Sequence, residues 1–366
     1  VWEFTDQYDA GIDLGLFDGR VKLSVDAYYK RTEDMLLKQP IPMSSGFSSR
    51  LTNIGNLENK GLEFTLNTVN IDKDDFQWTT NFTLSSNTNK VLSLGGVNQQ
   101  LFGDQFTGNR QTGIMRVGES LGGWYGYETN GVFTYDDFQS DTDGNPIYEN
   151  GYPVLNENSE YLPGSLRRTT TIPAFYGDIR YKDQNGDGVI NDEDQVIIAN
   201  TQPKFFGGLF NEFSIGRFNL GLFLTFKYDF DVINGNPFSL NRLGPNNNRF
   251  DNLNDAWTPE NSDTNQIRAD YTDQAFNSTY VEDGSYIRLQ SVNLSYNLPT
   301  DLAAKIGMQS LKLFTNVDNL AIWTKYSGYD PEVSVASGQR SITSANLDYG
   351  AYPRTTNISM GVKLGF

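Results

Sequence analysis

The strongest constraint in this sequence is a two-residue alternation sustained over runs of about 9–14 residues. Val21, Leu23, Val25, Ala27 and Tyr29 alternate with Lys22, Ser24, Asp26 and Tyr28. Phe76, Trp78, Thr80, Phe82 and Leu84 interleave with Gln77, Thr79, Asn81 and Thr83, and Phe218, Leu220, Leu222, Leu224, Phe226 and Tyr228 with Asn219, Gly221, Thr225 and Lys227. Tyr8–Leu16, Leu62–Leu66, Val292–Leu298 and Ile358–Phe366 repeat the pattern. Successive side chains of a strand point to opposite faces, so such a run has one apolar and one polar side. Helical periodicity is nearly absent. Ordinary soluble strands average about 5–6 residues, whereas a tilted strand crossing a bilayer needs about 9–11.

Alternation alone also suits a soluble sandwich, so the connections carry more weight. Some are tight, as at Phe17–Arg20, Asn70–Asp75 and Ile215–Arg217. Others are long and polar, near 34–59, 86–121, 136–204, 231–284 and 326–350. Loops beyond about 12–15 residues are uncommon in compact soluble domains. Outer-membrane barrels pair short periplasmic turns with long extracellular loops. The expectation is therefore all-β: one transmembrane antiparallel β-barrel domain over residues 1–366, with ten to twelve strands. The chain ends on TNISMGVKLGF, a full strand stopping at Phe366. In a closed barrel that strand pairs with the first, and Phe366 joins an aromatic girdle at the lipid interface. No run of about 20 apolar residues offers a membrane helix. The chain opens almost directly in strand pattern without a methionine, which reads as a fragment or a mature C-terminal portion.

Charge and composition remove whole classes of function. With 28 Lys and Arg against 45 Asp and Glu, the net charge of −17 argues against nucleic acid. The absence of Cys and His excludes thiol nucleophiles, thiolate or imidazole zinc sites and His-based proton transfer. Asp192 and Glu193 are adjacent carboxylates, but a hydrolase needs two carboxyls in distinct environments across a cleft. No enzyme is expected.

Several segments resemble the SusC-like branch of TonB-dependent outer-membrane transporters. They are QYDAGIDLGLFDGRVKLSVDAYYKRTEDML at Gln7–Leu36, NIGNLENKGLEFTL at Asn53–Leu66, GGWYGYETNGVF at Gly122–Phe133, GDIRYKDQNGDGVINDEDQ at Gly177–Gln195, DGSYIRLQSVNLSYNLP at Asp283–Pro299 and LKLFTNVDNLAIWTKYSGYDPEV at Leu311–Val333. The resemblance implies the C-terminal part of a barrel of about 22 strands. It also implies a plug and a TonB-contacting segment outside this chain, a SusD-like surface lipoprotein as lid, and import of glycans or peptides driven by the TonB complex. The place it implies is the outer membrane of a Gram-negative bacterium, with membrane lipid around the barrel. Two other readings stay open: a barrel of the same family kept for structure or assembly, and a secreted, calcium-stabilised sugar-binding β-sandwich.

One loop carries its own chemistry. Asp183, Asn185, Asp187, Val189, Asn191 and Asp194 stand at positions 1, 3, 5, 7, 9 and 12 of a twelve-residue calcium loop, with Gly188 at the sharp turn. Alternating oxygen donors suit a hard Ca²⁺, and Asp194 stands where Glu is usual. Strand-like flanks make it a loop graft with a structural role. Strand parity places it outside the cell. Because Asp, Asn and Gly also favour turns, a loop needing no ion is the alternative. Trp124, Tyr125 and Tyr127 are candidates to stack on substrate sugars, with a girdle or lining role as the alternative. The loop Asn241–Asp283, with its WTPEN segment at Trp257–Asn261, is a candidate contact for ligand or lid. Gly207-Gly208 reads as strand relief.

Overall fold

The alternating runs hydrogen-bond to one another in the order in which they occur along the chain. The computed structural model describes residues 2–41, 43–47, 49–103, 111–156, 174–240, 250–270, 275–335 and 345–366. Its main sheet has nine strands: β1 (Phe4–Leu16), β2 (Val21–Pro40), β3 (Ser49–Lys73), β4 (Phe76–Leu94), β5 (Phe205–Ile215), β6 (Phe218–Tyr228), β7 (Tyr286–Asn297), β8 (Ser310–Thr324) and β9 (Asn357–Gly365). Every neighbouring pair is antiparallel, so the sheet is a meander without crossovers.

The register turns the alternation into two opposed surfaces. Directly paired residues share a face, and one continuous row runs Leu14, Leu23, Leu66, Phe82, Leu209, Leu224, Leu289 and Ala321 across eight strands. The adjacent row on the other face runs Asp13, Ser24, Thr65, Thr83, Gly208, Thr225, Arg288 and Ile322. A one-residue slip anywhere would exchange these faces, so the pattern also fixes the register. The apolar face is bare: Ile12 is 54% exposed, Leu294 46% and Val362 56%, and none of them joins a buried cluster. A β-sandwich would bury this face against a second sheet, and among the described residues nothing covers it. The sandwich reading is therefore set aside.

Two features differ from the sequence expectation. The main sheet has nine strands rather than ten to twelve. It is also open, because β1 pairs only with β2 and β9 only with β8. The last strand does not close on the first, and each outer strand keeps an unpaired row of backbone groups.

The two ends of the sheet are unlike. At one end β1–β2, β3–β4 and β5–β6 join by tight turns. Gly216 takes a left-handed φ of 57° that a side chain would strain. At the other end β2 and β3 run on as a paired arm, so most of the segment 34–59 read as loop is strand. All five buried apolar clusters belong to this end, in the excursions between strands and in the outer ends of the long strands. The dry core is thus a layer built by the connections and not by the sheet faces. Within the expected loops, residues 42, 48, 104–110, 157–173, 241–249, 271–274 and 336–344 lie outside the described residues.

A polar cluster interrupts the apolar face in the row of Thr68, Thr80 and Asn211. Asn211 pairs with Leu222 and accepts hydrogen bonds from Trp78 Nε1 at 2.9 Å and Thr80 Oγ1 at 2.7 Å. Asn70 donates to Thr80 at 2.7 Å and accepts from Thr68 at 2.9 Å. Hydrocarbon offers no partner to an amide, so a polar group placed there has to be satisfied by its neighbours.

Candidate functional site: the inner wall and its loop clamp

The polar face carries Asp13, Asp26, Glu63, Asn67, Asn81 and Glu212 along the middle of β1–β5. Asn81 donates to Asn67 at 2.6 Å, and Tyr28 to Asn87 at 3.0 Å. Asp26 and Glu63 are direct cross-strand partners, an arrangement that repels unless water screens it. Such a wall is built to face water or a hydrophilic solute.

Where β6, β7 and β8 leave the sheet, this wall holds a charged cluster. Lys227, Tyr286 and Arg288 stand on the polar face. The chain emerging from β8 folds back onto them. Arg288 donates to Asp330 at 2.6 Å and lies 4.0 Å from Glu332. Its other terminal nitrogen donates to Asn319, a residue held at a positive φ of 53° where β8 bulges against β7. Lys227 pairs with Glu332 at 3.0 Å, and Arg354 reaches Glu332 at 2.9 Å and Asp330 at 3.6 Å. The Arg288 guanidinium sits 5.3 Å from the Tyr286 ring centre. Three cations and two carboxylates thus fasten the segment after β8 to the wall.

Arg288 is 1% exposed and Asp330 8%, so this pair is out of water, while Lys227, Glu332 and Arg354 stay partly open to it. Burial alone would raise the Glu332 carboxyl. Lys227, followed by Arg354 and Arg288, outweighs that and holds it below the ordinary carboxylate value. A depressed carboxylate stabilises the folded form above its unfolded pKa, and that contribution is lost as pH falls through the lower folded value. Acidifying below about 4.3 is therefore expected to loosen the segment Tyr326–Val335 first. Hydrogen exchange of this segment at pH 6 and pH 3.5 checks it; unchanged protection would contradict it.

The clamp has a second anchor. The Tyr326 hydroxyl donates to Asp348 at 2.7 Å, and burial, reinforced by that carboxylate, raises its pKa. Ser327 donates through its backbone N and its hydroxyl to Glu282, each at 2.8 Å. Glu282 lies in the short strand Val281–Asp283, which pairs with Asp231–Asn234. The fold-back thereby ties the excursions after β6 and β8 together. The sequence reading quoted GYDPEV within the resemblance but gave Asp330 and Glu332 no role. The available signal was a lone Arg288 in a strand otherwise neutral on that face.

The three aromatics expected to stack on substrate are interior. Trp124 is 0% exposed, Tyr125 8% and Tyr127 4%. Trp124 packs 5.4 Å from Phe276 and donates to the Ala345 carbonyl at 2.9 Å. Arg116 covers the Tyr125 ring at 5.3 Å. Tyr127 packs against Tyr181 and meets Gln195 and Asp192 through its hydroxyl. The strand Gly123–Tyr127 lies between Gln195–Asn200 and Gln111–Arg116, inside the loop layer. Trp257 of the WTPEN segment is likewise buried, stacked on Tyr176.

The residues of the calcium-type loop are partly brought together. Asp183 accepts from the backbone N of Gly188 and of Gly186, both at 2.7 Å, and these bonds hold its carboxyl below the usual range. Asp194, fully buried, accepts from Gln184 N at 2.9 Å and Asn191 N at 2.7 Å. Asp187 is turned aside, accepting from Asn185 Nδ2 at 3.1 Å and Val189 N at 2.8 Å. Asn191 caps the turn Asp192–Asp194 by accepting from Glu193 N at 2.7 Å, and it donates to the Val189 carbonyl at 3.4 Å. No three acidic side chains converge among the described residues. The loop's carboxylate, amide and carbonyl oxygens are the donor type a hard cation takes, and here they accept from N–H groups of the loop itself.

An open antiparallel meander with one bare apolar face, one wetted face, tight turns at one end and a thick layer at the other defines a stretch of membrane-spanning β-barrel wall. Residues 2–167 match the family model "TonB dependent receptor-like, beta-barrel". Over its whole length the chain is 37% identical to TonB-dependent receptor P3 of Formosa agariphila, covering 34% of that protein. It is 25% identical to TonB-dependent receptor SusC of Bacteroides thetaiotaomicron, covering 32% of it. The fold superposes on a solved structure of the RagAB peptide transporter with a TM-score of 0.71 at 22% identity, covering all of this chain and 36% of that one. Residues 2–167 thus match the β-barrel of the TonB-dependent receptors, and the chain as a whole is similar to proteins of that name. It spans about a third of the length of the curated relatives it matches.

Proposed function

We propose that this chain forms part of the wall of a TonB-dependent importer in the outer membrane of a Gram-negative bacterium. The cargo is an oligosaccharide or peptide, captured with a SusD-like lipoprotein lid. The observation that carries the reading is the two-faced sheet, whose apolar rows suit lipid while Asp, Glu, Asn and Thr line the opposite side. The unpaired edges of β1 and β9 support it as well, because hydrocarbon tolerates no open backbone row and further strands have to complete the wall. The clamp after β8 fits a path that must hold its outer segments in place while solute passes. No catalytic role is assigned; the relatives are receptors. Uptake of labelled oligosaccharides and peptides by cells carrying the full-length protein, with and without TonB, tests this. TonB-dependent uptake together with co-purification of a lipoprotein is expected. A folded barrel that takes up neither and captures no lipoprotein would favour a structural role.

Calcium at the loop 183–194 is the second element of the proposal, and its role is structural. The donor spacing supports it, since Asp183, Asn185, Asp187, Val189, Asn191 and Asp194 hold the oxygen-bearing positions of a twelve-residue calcium loop. Calcium is expected to raise the melting temperature relative to chelator, and Asp183→Ala is expected to remove the difference. Equal melting of the native protein in both conditions would overturn the assignment.

A further inference from the structure

Two tyrosines stand almost fully exposed where the clamp caps the polar wall. Tyr329 is 81% exposed and Tyr352 89%, and among the described residues no hydrogen bond or ring contact holds either side chain. The backbone beneath each is fastened on both sides. Ahead of Tyr329, Ser327 bonds to Glu282, and the Tyr326 ring lies 2.5 Å from where a Cβ of Gly328 would stand. Behind it, Asp330 pairs with the buried Arg288 and accepts from Glu332 N at 2.8 Å. Ahead of Tyr352, Gly350 N donates to Asn236 at 2.8 Å and Ala351 N to Asp348 at 3.4 Å. Behind it, Pro353 confines the Tyr352 backbone to extended conformations, and Arg354 closes onto Asp330 and Glu332.

One clamp therefore carries both rings. Arg354 joins the segment of Tyr352 to that of Tyr329, and Arg288 and Lys227 fix the pair to the polar face. A ring on a held backbone loses little further entropy when a ligand stacks on it, which is how binding sites use tyrosine. Charge does not choose the ligand here, because Lys227, Arg288 and Arg354 are paired with Asp330 and Glu332. What is left to a ligand is two ring faces, each with a hydroxyl at its tip. A pyranose presents the matching surface, with C–H groups on its faces and hydroxyls around its rim.

We propose that Tyr329 and Tyr352 form a stacking site for neutral oligosaccharide at the outer mouth of the path. The inference rests on the importer reading above and narrows its cargo from oligosaccharide or peptide to the uncharged sugar. The buried Arg288–Asp330 pair then acts on binding as a positioning device, through the segment that presents Tyr329.

The test applies the full-length protein, solubilised in detergent, to an array of neutral malto-, cello-, xylo- and laminari-oligosaccharides with acidic oligosaccharides beside them. The native protein is expected to bind at least one neutral series, and the double variant Tyr329→Ala/Tyr352→Ala to bind it about ten-fold more weakly. Tyr329→Phe/Tyr352→Phe is expected to keep most of the binding, because the ring does the stacking. Proteolysis of the segment 325–335 is expected to be unchanged in both variants, because the clamp stays intact. Equal binding by the native protein and the alanine variant would overturn the site and leave the importer reading standing. Binding of acidic oligosaccharides alone, or uptake of labelled peptides by cells with no neutral series bound, would overturn the sugar assignment and again leave that reading standing. Neither binding nor uptake would overturn both.

Discussion

Arginine in place of Leu222 is expected to destabilise the barrel by about 2–4 kcal/mol, the cost of a cation on the lipid face near the bilayer midplane. Leu222 lies one residue from the centre of the eleven-residue β6, paired with Asn211 and Val292 on the apolar face. Its position leaves the new side chain about half a strand from either interface. Asn293 supplies the control. It is exposed on the polar face, opposite Gly221, and Asn293→Arg is expected to stay within about 0.5 kcal/mol. Urea unfolding of the full-length protein in lipid vesicles measures both. Equal costs would contradict the assignment of faces.

Removing Asp330 is expected to cost more than any other single change at the clamp. Arg288 is buried, and Asp330→Ala leaves its guanidinium without the carboxylate 2.6 Å away. Breaking one partner of a buried ion pair costs about 3–5 kcal/mol, because the surviving charge stays out of water. Glu332 stands 4.0 Å from Arg288 and offers partial compensation, which argues for the lower end of that range. The loss is expected to appear first as release of the segment 325–335, since its attachment is what the pair secures. Limited proteolysis near Lys325–Val335 should accelerate in Asp330→Ala, and less so in Asp330→Asn. Unchanged cleavage in both would show that the second anchor, Tyr326 on Asp348 and Ser327 on Glu282, suffices by itself.

The sheet was legible in the sequence because its physics is local. In Phe218–Tyr228 every second residue is apolar, and that pattern alone chooses the face and the register. The tight turns were legible for the same reason. The strand total and the lack of closure were not, since pairing of β1 with β9 is a non-local question that no alternation answers. The long arm of β2 and β3 was missed because its outer part breaks the strict alternation, with Met35-Leu36-Leu37 adjacent and register shifts between Thr32 and Leu36. It pairs there above the apolar band, where strand pattern no longer tracks burial. The surroundings of Trp124, Tyr125 and Tyr127 were not legible for a related reason. An aromatic run reads alike whether it faces a sugar or a core, and only the neighbouring strands Gln111–Arg116 and Gln195–Asn200 decide. The clamp joins Lys227, Arg288, Asp330, Glu332 and Arg354 across more than a hundred residues, so spacing held no trace of it.

The chain has no cysteine, which allows each position of β6 to be read singly. The most direct test places one cysteine at a time at residues 218–228 of the full-length protein, in a cysteine-free background in intact outer membranes, and measures labelling by a water-soluble, lipid-excluded maleimide. Labelling at 219, 221, 223, 225 and 227 with protection at 220, 222, 224 and 226 is the expected result. Labelling without a two-residue period, or with the period inverted, would contradict the account.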